Sequence, residues 1–106
     1  FLVRRDGGIV QFVPCRMRAW HAGASTWREA ECCNDFSIGI ELEGSDALPF
    51  EPPQYLALAR LVRILQRHYS IEDIAGHADI APGRKTDPGP HFDWAHLHRL
   101  LACREA

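Results

Sequence analysis

The sequence predicts an α/β or α+β fold with a mixed sheet and helices packed against it. Three stretches carry that prediction. DFSIGIELEG, 35 to 44, sets Ile38, Ile40 and Leu42 in alternation with Ser37, Gly39, Glu41 and Glu43, the period of a half-buried strand. EPPQYLALARLVRILQRHY, 51 to 69, places Tyr55, Leu58, Val62, Leu65 and Tyr69 on one helical stripe with Leu61 beside it. FLVRRDGGIVQFV, 1 to 13, reads as a hairpin, two β-prone runs around Asp6-Gly7-Gly8. Strands and helices mix without strict βαβ alternation.

The elements follow in order. After the hairpin, residues 14 to 35 form a long structured loop with room for a short helix, and loops of that length are often functional. The strand at 35 to 44 has an apolar face and a face with two carboxylates. In the helix that follows, Pro52 and Pro53 suit the first turn. Arg60, Arg63 and Arg67 lie toward solvent, and His68 sits at the C-terminal end, where a protonated ring matches the dipole. Residues 72 to 76 run extended into His77, and 78 to 91 are a Pro/Gly-rich loop. FDWAHLHRLLA, 92 to 102, closes the chain as a helix capped by Asp93, with Trp94, Leu97 and Leu101 inward. His96 and His98 point apart on that helix and receive no ligand role.

A chain of 106 residues supports one small domain, 1–106, with one core. The net charge of −2 argues against a nucleic-acid or membrane-surface partner. No apolar run approaches the roughly 20 residues of a spanning helix. Cys15, Cys32, Cys33 and Cys103 form no CxxC pair and read as free thiols in a reducing compartment.

The chemistry concentrates in GHADIAPGRKTDPGP, 76 to 90. His77 ends a strand-like segment and Asp87 returns ten residues later. Imidazole and carboxylate both suit Zn²⁺. A structural histidine is the competing reading, and Asp79 is either a rival ligand or a turn cap. Lys85 leaves the chain on the same side as Asp87 if the segment is extended. It is then an oxyanion stabiliser or a solvated loop lysine. Glu41, opposite the apolar face of its strand, is a general base if it faces a cleft and a surface carboxylate if it does not. Trp20 and His21 lie in RAWHAG, either the wall of a substrate groove or an anchor of the loop onto the core.

Together RRDGGIVQFVP, RAWHAG, CNDFSIGIELEG and GHADIAPGRKTDPGPHFDW resemble the AmpD-type 1,6-anhydro-N-acetylmuramoyl-L-alanine amidases. These belong to a zinc amidase superfamily with the peptidoglycan recognition proteins and phage amidases. The resemblance covers nearly the whole chain. It implies a mixed central β-sheet flanked by helices and a cytoplasmic zinc hydrolase. The substrate would be a muropeptide, cut between anhydro-muramic acid and L-alanine during cell-wall recycling. It implies that His77 and Asp87 ligate zinc, that Lys85 stabilises the oxyanion and that Glu41 is the acid/base. Trp20 and His21 fall near the substrate cleft. In that family a first ligand, a histidine, stands on a strand upstream of the hairpin, and this sequence resembles only the C-terminal part of a member. The third ligand stays open among His21, His91, Cys15 and a neighbouring chain. A sheet without that strand is expected to be marginal, oligomeric or rearranged. A muropeptide-binding module with an incomplete site is the alternative to an enzyme. A metal-dependent phosphohydrolase is a weaker third.

Overall fold

The computed structural model describes residues 1–45 and 47–102. The Cys103 thiol lies outside them, and Cys15, Cys32 and Cys33 are free. Among the described residues, five short strands and three α-helices follow in order. They are β1 (Leu2–Val3), β2 (Ile9–Val10), β3 (Thr26–Trp27), β4 (Ala30–Glu31), β5 (Glu41–Leu42), α1 (Pro52–His68), α2 (His77–Ile80) and α3 (Trp94–Ala102). No helix among the described residues is long and apolar enough to cross a membrane.

The sheet is mixed, as the sequence predicts. Its order is β2-β1-β5, with β2 antiparallel to β1 and β5 parallel to it. The hairpin closes through Arg4 N–H to Gly8 O at 2.7 Å and Gly7 N–H to Arg4 O at 2.9 Å, where Gly7 takes a positive φ. Val3 sits between Ile9 and Leu42 in the ladder and is fully buried. The strand expected over 35 to 44 pairs only at Glu41–Leu42. Its alternation survives nonetheless. Ile38, Ile40 and Leu42 are half-buried against the core while Ser37, Glu41 and Glu43 are exposed.

Helix α1 lies across this sheet. Tyr55, Leu58, Leu61, Val62 and Leu65 are buried as the stripe predicts, and Tyr69 falls beyond the helix, 43% exposed. One cluster joins Tyr55, Leu58 and Val62 to Phe50, Phe92 and Leu97, and a second joins Leu61 and Leu65 to Val3. Arg63 departs from the expected solvent face. It is half-buried and donates to the carbonyl of Leu100 in the last turn of α3. A helix C-terminus leaves carbonyls unpaired there, and a cation is the natural partner. The pattern of one helix does not reveal that another will end against its flank.

Gln54 ties α1 to the sheet. Its amide oxygen accepts from Glu51 N–H at 2.8 Å. Its amide nitrogen donates to Glu43 O at 2.8 Å and Val3 O at 3.4 Å. The side chain is 1% exposed. Gln54→Leu keeps the volume and strands these groups, each costing about 1–3 kcal/mol when buried without a partner. The expected loss is about 3 kcal/mol, seen as a Tm fall of about 12 °C or more by circular dichroism. A shift under about 3 °C would show that the joint is unimportant.

The hairpin β3–β4 and helix α2 went unforeseen in the sequence, while the short helix expected in the loop of 14 to 35 is a 3₁₀ turn. A tight hairpin, β3–β4, and a 3₁₀ turn at Cys33–Asp35 organise the loop of 14 to 35. Helix α2 begins at His77, so the loop expected from residue 78 starts after Ile80 instead.

Candidate metal centre

Three segments bring the site together. Residues 71–76 lead into α2, and the side chain of Asp79 caps its entry by accepting Gly76 N–H at 2.8 Å. That settles Asp79 as a turn cap. Ala78 N–H donates to Asp87 O at 2.9 Å, which folds the Pro/Gly loop back onto α2. Asp87 therefore returns beside His77, with Oδ2 2.5 Å from Nδ1. The close pass needs Gly76, because a Cβ there would lie 2.6 Å from Pro88 Cδ. From β5, Glu41 Oε1 reaches to 3.6 Å of the same Nδ1. Ligand atoms of Glu41, His77 and Asp87 all lie within 4.8 Å of one another. His77 is buried, Asp87 half-buried and Glu41 exposed.

His21 approaches from the other side. Its Nδ1 is 3.0 Å from His77 Nε2, and its Nε2 is 3.0 Å from Ser37 Oγ. Gly39 allows this, since a Cβ there would meet the His21 ring at 2.4 Å. Burial lowers the His21 pKa from its ordinary value, and the neighbouring His77 and Lys85 lower it further. The loop that carries His21 is held twice. Buried Asn34 accepts the backbone N–H groups of His21 at 3.0 Å and Ala22 at 2.8 Å. Arg84 donates to the carbonyls of Ala22 and Ala24.

A cleft of 510 Å³ runs from this cluster over an apolar floor that includes Ile40, Leu58, Val62 and Leu97. His21, Glu41, His77 and Asp87 all line it, while Lys85 is not among its lining residues. Lys85 is half-buried, and its charge reaches His21. Trp20 lines a separate hollow of 290 Å³ that shares His21 and Glu41. Its indole is 80% exposed, with the Arg18 guanidinium 4.9 Å from the ring centre, so it does not anchor its loop in the core. His91 is exposed. Among the described residues, the third acceptor beside His77 and Asp87 is Glu41, which the sequence put forward as a base only. Ser37, Asn34 and Arg84 escaped the sequence reading. One sequence offers no signal for them, because their roles are contacts made across 12 to 62 residues.

A mixed sheet backed by a long helix, with two carboxylates and an imidazole converging at one end of a cleft, is the architecture of proteins that can hold a cation where a ligand reaches it. Among such proteins, this chain belongs to the N-acetylmuramoyl-L-alanine amidase family, whose model matches residues 1–90. It is 56% identical over 106 residues to the 1,6-anhydro-N-acetylmuramyl-L-alanine amidase AmpD of Escherichia coli K12, covering 98% of this chain and 57% of that protein. A crystal structure of a selenomethionine derivative of AmpD superposes with a TM-score of 0.92 at 54% identity, over 94% of this chain and 57% of that one. The amidase AmiD of E. coli, solved in complex with the substrate anhydro-N-acetylmuramic acid-L-Ala-D-γ-Glu-L-Lys, gives 0.79 at 46% identity, over 86% and 40%. The chain thus spans little more than half the length of the curated AmpD relative and less of AmiD.

Proposed function

We propose that this chain carries the zinc-dependent amidase chemistry of its family. The bond cut is the amide between (anhydro-)N-acetylmuramic acid and L-alanine of a stem peptide, in cytoplasmic recycling of peptidoglycan. The observation that carries this reading is the meeting of His77 Nδ1, Asp87 and Glu41 at the end of the cleft. Imidazole and carboxylates are a donor set that fits zinc. The names of the relatives support the choice of substrate.

His77 and Asp87 would hold the ion. Bound zinc supplies a Lewis acid for the scissile carbonyl and lowers the pKa of the attacking water. Glu41, exposed at the cleft and within reach of the same centre, takes a proton from that water and delivers it to the amide nitrogen as the C–N bond breaks. Lys85 opposes the negative charge that develops on the carbonyl oxygen. Trp20 and His21 bind substrate in the hollow beside Glu41, where the exposed indole offers an apolar face.

The test is release of free peptide from an anhydro-muramoyl peptide by the zinc-loaded chain. Turnover should stop with a chelator, and Lys85→Ala should slow it by about 10²–10³-fold. Muropeptide binding without cleavage at saturating zinc would replace the enzyme reading with that of a binding module.

A further inference from the structure

The geometry points to Ser37 and His21 as positioning residues that set which ring nitrogen of His77 faces the metal, an assignment that rests on the zinc-site reading above. The argument starts from a group that can only accept. The carbonyl of Cys33 lies 2.5 Å from Ser37 Oγ, so the serine's single O–H points at it. Ser37 Oγ then meets His21 Nε2 at 3.0 Å with lone pairs only, and His21 must donate there. A neutral imidazole has one N–H, so His21 Nδ1 is left as an acceptor. His77 Nε2 lies 3.0 Å from that Nδ1 and therefore carries the proton. The remaining nitrogen of His77, Nδ1, is the one beside Asp87 at 2.5 Å and Glu41 at 3.6 Å. With Nε2 committed to His21, Nδ1 is the nitrogen of His77 that would face an ion held with Asp87 and Glu41.

The relay runs from Cys33 O through Ser37, His21 and His77 to the metal position. It is built from fixed parts. Asn34 holds the backbone of His21, and Gly39 leaves room for its ring beside the segment that carries Ser37. A metal-bound histidine usually donates its second N–H to a carboxylate, a carbonyl or water. Here the acceptor is a second histidine whose own tautomer is set by a serine.

The first measurement is the ¹⁵N imidazole spectrum of the zinc-free protein. His21 should carry its proton on Nε2, and Ser37→Ala should let it populate the Nδ1–H form. Ser37→Thr, which keeps the hydroxyl, should restore the wild-type spectrum. The second is zinc affinity by chelator competition, where His21→Phe should bind about 10–100-fold more weakly. A wild-type His21 protonated on Nδ1 overturns the assignment, as does a His21→Phe affinity within about twofold of wild type. If the wild-type chain itself holds no zinc, the metal reading fails and takes the role of the relay with it. The tautomer spectrum then still shows whether the hydrogen-bond chain exists.

Discussion

Replacing Asp87 with alanine should strip zinc from the chain. The carboxylate oxygen lies 2.5 Å from His77 Nδ1, closer than any other acidic group in the site. Its removal leaves one buried imidazole and one exposed carboxylate, a pair with little hold on a divalent ion. Losing a residue that merely orients a ligand costs about 10–100-fold in affinity, so losing a ligand should exceed about 100-fold. Zinc per chain after dialysis against a weak chelator measures this directly. Asp87→Asn, which keeps the shape and an oxygen but drops the charge, should fall between wild type and alanine. The fold should persist in both variants, because the loop is fastened by the backbone of Asp87, through Ala78 N–H, and not by its side chain. An alanine variant that keeps its full zinc would remove Asp87 from the metal centre.

The second large effect belongs to Glu41. Glu41→Gln preserves size and hydrogen-bonding shape and abolishes the base. If Glu41 handles the proton, turnover should fall by about 10²–10⁴-fold. Zinc content should change little, since Glu41 stands 3.6 Å from His77 Nδ1 and is exposed, while Asp87 is nearer and more buried. The two measurements must be made on the same preparation. Loss of turnover with zinc retained marks an acid/base residue. Loss of both together marks a ligand. Turnover near wild type would eliminate either role.

Periodicity carried much of the fold. The stripe of α1, the cap and inward face of α3, and the alternation of Ile38, Ile40 and Leu42 were all legible. Each is a local pattern that burial on one side must produce. The hairpin was legible because Asp6-Gly7-Gly8 meets a steric demand of the turn. What escaped was set by contacts between segments. The face of Arg63 depends on where α3 ends, and the tie made by Gln54 depends on which strand carbonyls lack partners. The start of α2 at His77 could not be read from a segment so rich in Gly and Pro. At the site, motif order gathered His77, Asp87, Glu41 and His21, which the structure brings to one cleft. It could not say that Glu41 comes within reach of both His77 and Asp87, or that His21 faces the far nitrogen of His77, because both are distances across the fold. Lys85 illustrates the limit from the other side, since the motif brings it forward and the cleft lining leaves it out.

Gly39 and Gly76 have a meaning for how this site tolerates change over many generations. Neither offers a functional group, yet each marks a spot where one segment rests directly on another, His21 on the first and Pro88 on the second. A single added methyl at Gly39 would push the His21 ring off His77. At Gly76 it would lift the turn that carries Asp87. In an exhaustive substitution survey scored by zinc retention, these two positions should be as intolerant as the ligands themselves. Many larger residues lining the cleft floor should accept alternatives of similar volume. The site is therefore specified in part by vacancy. What must be inherited at those two positions is the absence of a side chain, and even alanine, the smallest step away, already exceeds the room.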